Sequence, residues 1–280
     1  MVWIICANNG MDYIDLERSK LYVKLKVKKA NGEDLQDDDT VGPVNLFLKS
    51  LWSQLDVYIQ GQMVTSSNTY YPYKCMMKTL LKYGQDTKST QLSSSVYLKD
   101  RYGHMDEIST NTGLYERRKF ISNSKTLEME GPVFSDIFEM NRYLLNMLSL
   151  KLKLYRNDPS DLFCDGIPVD GIALKLDFNE NSGTSNVSPY VKMFETGGKW
   201  MLDTGNEITK AEFNNGFTLL CFYLEPFFSD TKYLSLLKQG KIRLECQYGT
   251  PLPATAALLI LAENYGYFEI TENRQIKIEH

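Results

Sequence analysis

Residues 41–64 read VGPVNLFLKSLWSQLDVYIQGQMV, and the spacing of their apolar residues changes halfway. Val44, Phe47, Leu48, Leu51 and Trp52 recur about once per helical turn. From Leu51 onward the period becomes two. Leu51, Leu55, Val57 and Ile59 fall on one side, and Gln54, Asp56, Tyr58 and Gln60 on the other. That alternation predicts a half-buried strand after a short helical lead-in, and Gly61 marks a turn behind it.

The same solution recurs along the chain. In 19–32, SKLYVKLKVKKANG, Leu21, Val23, Leu25 and Val27 form a dry face and Lys20, Tyr22, Lys24, Lys26 and Lys28 a wet one, ending at the turn Asn31-Gly32. Leu148, Leu150, Leu152 and Leu154 repeat the pattern, with Lys151 and Lys153 outside. So do Ile172, Leu174, Leu176 and Phe178, and then Ile242, Leu244, Cys246 and Tyr248. AALLILA (256–262) has strand length, and Leu258 and Ile260 there need a facing layer. The lysine row of 20–28 is better read as a solvated sheet face that discourages edge pairing than as a nucleic-acid stripe.

Helices are expected to be few and short. The stretch 71–84 has Pro72 in its first turn and Gly84 past its end, with Tyr73, Met76, Met77, Leu80 and Tyr83 as its apolar face. A second helix is expected over 229–240 and one helical turn in 206–216. The polar stretch 84–112 reads as a long loop with one strand near Val96–Leu98. Many short strands between loops argue for stacked antiparallel sheets. The Pro-, Gly- and Asp-rich stretch 157–171 is the best domain boundary.

The 280 residues carry a net charge of -4, whereas nucleic-acid binders usually show a basic balance. No apolar run is long enough for a transmembrane helix, and the first ten residues lack the basic lead of a signal peptide. The five cysteines, Cys6, Cys75, Cys164, Cys221 and Cys246, are dispersed and odd in number, which suits reduced thiols of an intracellular protein. Asn186-Val187-Ser188 matches a glycosylation triplet by chance.

With only two histidines, His104 and His280, the chain cannot supply a histidine-rich metal centre, and no nucleotide-binding or hydrolase motif is present. The acidic run 33–39 lacks the glycine and terminal glutamate of a calcium loop and reads as a solvated loop. Glu128 and Glu130 share a strand face and are the one carboxylate pair to weigh for hydrolysis. The cluster Glu116-Arg117-Arg118-Lys119 could touch phosphate or a neighbour's carboxylates, and is better read as a charged lead-in to a strand at 119–122. No catalytic, cofactor-binding or metal-ligating residue is therefore assigned, and no cofactor is expected.

Several long segments resemble one family. DYIDLERSKLYVKLKVKKANG, VGPVNLFLKSLWSQLDVYIQGQMV, NTYYPYKCMMKTLLKYG and GPVFSDIFEMNRYLLNMLSLKLKLYRN are similar, in order, to the first half of the double jelly-roll major capsid proteins of polinton and adintovirus-like elements. GNEITKAEFNNGFTLLCFYLEPFFSD and GKIRLECQYGTPLPATAALLILAENYGYFEITENR resemble the close of the second half. The resemblance implies an all-β double jelly roll with a few connecting helices. A first jelly roll would span 11–157, a linker 158–171, and a second, shortened jelly roll 172–280, because little stands between Asn157 and Ile172 where several strands belong. The start also looks clipped, with MVWIICANNG in place of a longer leader. The implied function is a non-enzymatic shell protein, or a host-retained derivative, that forms homotrimers and resides inside the cell or in a virion. A lectin-like β-sandwich module, with the aromatics of 68–73 stacking on sugars, is the alternative. A hydrolase using Glu128 or Glu130 is the third reading.

Overall fold

The computed structural model describes residues 2–7, 12–65, 69–158, 163–164, 186–222, 251, 254, 257–263 and 267–279. The architecture is sheet-rich with short connecting helices, and among the described residues the strands do not close into a barrel. Two compact units are present. One comprises 1–79, 86–168 and 260–280, and the other 80–85 and 169–259.

In the first unit, β1 (Val2–Ala7), β2 (Lys20–Leu25) and β3 (Gly42–Pro43) precede α1 (Phe47–Ser50), β4 (Trp52–Ile59) and β5 (Gln62–Met63). Helix α2 (Tyr71–Lys82, its last three residues assigned to the second unit) and α3 (Gln85–Ser89, Gln85 likewise) follow, then α4 (Thr112–Ile121), β6 (Leu127–Pro132), β7 (Ser149–Arg156) and β8 (Phe163–Cys164). Four strands form one antiparallel sheet in the order β1-β7-β4-β5, and β2 pairs with β6 in another.

The lead-in, strand and turn of residues 41–64 form as their spacing predicts. Leu46 adopts a left-handed conformation, α1 makes one turn, and β4 runs on. Gln60 and Gly61 both have positive φ (51° and 80°), the two-residue hairpin turn whose twist matches the flanking strands. Leu55, Val57 and Ile59 of β4 stand opposite Leu154, Leu152 and Leu150 of β7, and all six are buried. Burying each such side chain contributes about 1.5–3 kcal/mol. Phe47 and Leu48 of α1 enter a second cluster with Leu35, Val96, Ile121, Leu127 and Met129. Leu21, Val23 and Leu25 of β2 pack against that cluster, as their alternation requires.

Helix α2 forms where Pro72 and Gly84 bound it, but its docked face is rotated from the expected one. Tyr71, Cys75, Thr79 and Leu80 are buried, Met76 and Met77 are half-buried, and Tyr73 points into water. Three of these follow a strict four-residue spacing, and the helix turns its slimmer Cys75 and Thr79 inward.

Other expectations are corrected. The stretch 84–112 is not one long loop, since it holds α3 and a 3₁₀ helix over Gln91–Ser95. No strand forms near Val96–Leu98. Val96 is left-handed (φ 58°) at the end of a 3₁₀ turn, and the Leu98 N–H is captured by the Asn45 side chain at 3.0 Å, so its polar groups are satisfied without a ladder. Residues 116–119 do not lead into a strand. They lie within α4, whose N-terminus is capped by Asn111 accepting from Gly113 and Leu114 at 3.1 and 3.3 Å. Helix α4 comes so close to residues 98–99 that a Cβ on Gly113 would strike the Lys99 and Leu98 carbonyls. Gly113→Ala is therefore expected to cost about 1–3 kcal/mol, read as a lowered melting temperature. A melt unchanged from the parent protein would show that α4 shifts freely.

In the second unit, α5 (Val187–Thr196) and α6 (Lys210–Asn214) pack Met193, Ile208 and Phe213 inside. Tyr190 stacks edge-on against Phe194 and Phe213 at 5.0 and 5.6 Å and donates its hydroxyl to the Ile208 carbonyl at 2.9 Å. The helical turn expected in 206–216 is α6, opened by a capping box between Thr209 and Glu212. The strands expected over 171–183 and 240–249, the helix over 229–240 and nearly all of the 158–171 linker lie outside the described residues. Residues 257–260, expected to be a strand, form no regular secondary structure, and Leu258 and Ile260 are exposed. The final described pair, β9 (Tyr267–Ile270) and β10 (Ile276–Glu279), is a hairpin that belongs to the first unit.

Candidate functional site

Each charged cluster singled out in the sequence proves to be bonded to another part of the chain. On the wet face of β2 and β6, Lys24 meets Glu128 at 2.6 Å and Lys20 meets Glu130 at 3.1 Å. The expected sharing of a face by Glu128 and Glu130 therefore holds, on an open surface. The Lys24 ammonium beside it, through its hydrogen bond and charge, holds the Glu128 carboxyl below the usual range. A general acid for glycoside hydrolysis needs the opposite shift.

The acidic run is a solvated loop, as expected, with Glu33, Asp34, Asp37 and Asp38 exposed, and it is also pinned at several points. Asp39 accepts a hydrogen bond from the Gln36 N–H at 2.7 Å and pairs with Lys29 at 2.9 Å, Asp34 pairs with Lys28 at 3.2 Å, and Leu35 is buried with its N–H donating to Ser124 Oγ at 2.8 Å. Within 116–119, Glu116 pairs with Lys119 at 2.6 Å and Arg118 donates to the Asp37 carbonyl. Arg117 turns inward, 1% exposed. Its Nε donates to the Pro43 carbonyl at 2.9 Å, Nη1 to the Leu98 carbonyl at 2.7 Å and Nη2 to Asp100 at 2.7 Å. Asn111 and Asn45 also donate to the Asp100 carboxylate, at 2.7 and 2.8 Å. Nothing in the sequence marks Arg117 as buried, although Asn111 two residues before Gly113 is a readable helix cap.

A second buried cation was not anticipated. Lys49 lies fully inside, its Nζ donating to the Pro132 carbonyl and sitting 4.9 Å above the Phe134 ring. Burial pulls its pKa down to about 8, and the same burial pushes the nearby Cys75 thiol up to about 12. Tyr71 hydrogen-bonds Cys75, and its phenol is raised well above 10 by burial. A thiol held protonated in this way is inert as a nucleophile. His104 Nδ1 is 2.9 Å from Glu107 Oε2, and His280 lies outside the described residues. Among the described residues no group of three or more His, Cys, Asp or Glu side chains could hold a metal ion.

The aromatics of 68–73 divide between inside and outside. Tyr71 is buried, whereas Tyr70 and Tyr73 are exposed with ring centroids 6.4 Å apart. A small cleft of about 30 Å³ is lined by Leu55, Thr65, Tyr71, Lys74, Phe134, Ser135 and Asp136, and by neither Tyr70 nor Tyr73. Such a volume takes a water or one small group, not a metabolite. Among the described residues no helix is long and apolar enough to cross a membrane. No family model, curated protein or solved structure matches this chain.

Proposed function

We propose that this chain is a non-enzymatic structural protein of the double jelly-roll capsid type, or a derivative of one, that associates as a homotrimer. The observation that carries this reading is the nesting of its strand pairs. The first strand, β1, pairs with the late strand β7, while inside that pair β2 joins β6 in a separate sheet. β7 also lies between β1 and β4. A jelly roll is such a ribbon of nested antiparallel pairs, rolled until its two halves lie in facing sheets. The ordered sequence resemblance points the same way.

The charge arrangement supports a shell role over catalysis or nucleic-acid binding. The lysines of β2 are matched by glutamates of β6, and the carboxylate pair that hydrolysis would need is neutralised by ammonium groups. The short second jelly roll implied by the resemblance would leave apolar faces that a neighbouring subunit covers.

Light scattering over a concentration series, followed by negative-stain microscopy, tests the proposal. The expected species has three times the mass of the 32.2 kDa chain, with regular assemblies at high concentration. A monodisperse, cooperatively folded monomer that stays soluble at high concentration would overturn it.

A further inference from the structure

Three Asn-Gly pairs occur in the chain, at 9–10, 31–32 and 215–216, and the first lies outside the described residues. In such a pair the backbone nitrogen of the glycine can reach the asparagine carboxamide carbon with no Cβ in the way. The fold treats the other two pairs differently. Asn31 and Gly32 sit in a three-residue hairpin loop, closed by Lys29 N–H donating to the Glu33 carbonyl and Gly32 N–H to the Lys29 carbonyl, both at 2.9 Å. Gly32 has φ 87°, both residues are exposed, and a Cβ built on Gly32 would meet no atom within 4 Å. The Asn31 carboxamide is held at both ends by Glu33. Its Oδ1 accepts from the Glu33 N–H at 3.0 Å, and its Nδ2 donates to the Glu33 carboxylate at 2.8 Å. Asn215 is tied to α6 instead. Its Nδ2 donates to the Ala211 carbonyl at 2.8 Å, its N–H to the Glu212 carbonyl at 3.2 Å, and the N–H of buried Phe217 to that same carbonyl at 2.9 Å.

We propose that Asn31 is a self-modifying site, converted to aspartate and isoaspartate through attack by the Gly32 nitrogen. The Gly32 N–H first gives up its bond to the Lys29 carbonyl, a single exposed turn bond. The nitrogen then adds to Asn31 Cγ and loses its proton to water. Negative charge collects on Oδ1, where the Glu33 N–H is already aimed and stabilises it. The Cγ–Nδ2 bond breaks, Nδ2 takes up a proton and leaves as ammonia, and a five-membered imide remains. Water opens that ring. Breaking the bond from Cγ to the Gly32 nitrogen leaves aspartate, and breaking the one from the backbone carbonyl carbon leaves isoaspartate, with the main chain running through Cγ. No electrons are transferred. Asn215 is spared, because Gly216 is fixed between the end of α6 and buried Phe217. The product unmakes the turn. A carboxylate replaces the amide that donated to Glu33, so two like charges meet where a hydrogen bond stood. Isoaspartate also lengthens the loop by one backbone atom. The pairs Lys28–Asp34 and Lys29–Asp39, which pin the acidic run across this turn, then lose their register.

The full chain, held for several weeks in mildly alkaline buffer and then digested and mapped by mass spectrometry, tests the proposal. In the folded protein Asn31 is expected to convert at least tenfold faster than Asn215. In guanidinium, where the fold no longer distinguishes them, the two should convert at similar rates. Gly32→Ala should slow conversion at Asn31 at least tenfold and leave the rate at Asn215 unchanged. In the converted protein, separated by anion exchange, the Lys29 amide should exchange with deuterium at least tenfold faster than in fresh protein. An Asn31 that stays intact in the folded chain while it reacts in guanidinium, or that reacts no faster than Asn215, would overturn the proposal. So would a converted protein whose Lys29 amide exchanges as it did before.

Discussion

Replacing Arg117 with methionine is expected to destabilise the first unit by about 3–5 kcal/mol, the range for breaking one side of a buried ion pair. That is a large share of the roughly 5–15 kcal/mol that holds a domain folded. The guanidinium binds three acceptors in three directions: the Pro43 carbonyl, the Leu98 carbonyl and Asp100. Without it, two carbonyls lose a donor and a carboxylate that is 11% exposed loses its counter-charge. Lysine is not expected to rescue, because one ammonium cannot reproduce a planar fork. Urea unfolding of Arg117→Met, Asp100→Asn and the double variant checks this. The double variant should lose at least 1 kcal/mol less than the two single losses together. An Arg117→Met protein within about 1 kcal/mol of the parent would show that the network is dispensable.

Stability should also change with pH through the buried pair Lys49 and Cys75. The folded Lys49 loses its proton at about 8, whereas an ordinary lysine holds it to 10.5. Between those values unfolding takes up a proton, so stability rises with pH. The full gain is roughly 3 kcal/mol, and it is lost as pH falls through 8. Cys75 acts in the opposite sense. Folded, it stays protonated to about 12, against 9.0 ordinarily. From pH 9 upward unfolding releases its proton, and stability falls. The lysine gain therefore runs alone from pH 8 to 9, Cys75 offsets it from pH 9, and above pH 10 the buried Tyr71, whose phenol also keeps its proton when folded, adds to the loss. Urea midpoints at each pH unit should rise from pH 8 to 9 in the parent protein and on to about pH 10 in Cys75→Ala, and Lys49→Met should lack the rise. A Lys49→Met profile parallel to that of the parent protein would show that Lys49 does not titrate in this range.

The strands were legible and the buried charges were not. β2, β4 and β7 declare themselves because each alternates wet and dry residues, and a slip of one residue would turn Val57 or Leu152 outward. Helix α2 was legible from its ends, since Pro72 and Gly84 act locally. Its buried face was not, because choosing Tyr71, Cys75 and Thr79 over Met76 and Met77 depends on Phe134 and Lys49, distant in sequence. Arg117 and Lys49 look like surface charges in a sequence, since only their tertiary partners reveal their burial. Val96–Leu98 misled for a related reason: Asn45, more than 50 residues earlier, supplies the hydrogen bond that a neighbouring strand would have given. Around α2, the aromatics of 68–73 were visible in the sequence. The cleft was not, because Ser135 and Asp136 come from a segment some 60 residues away.

The nested pairing has a consequence during synthesis on the ribosome. β4 is made about 90 residues before β7, the strand that covers its inner residues. At roughly 5–20 residues per second, Val57 and Ile59 wait about 5–20 seconds for Leu150 and Leu152 to emerge. β2 waits longer for β6, since Leu25 and Leu127 are over 100 residues apart. Before residue 127 is made β2 has no partner, and the sheet of β1, β7 and β4 cannot close on a nascent chain arrested before residue 149. Such a chain should be cut by protease within 52–59 and held by chaperones, whereas one released at residue 164 should protect that strand.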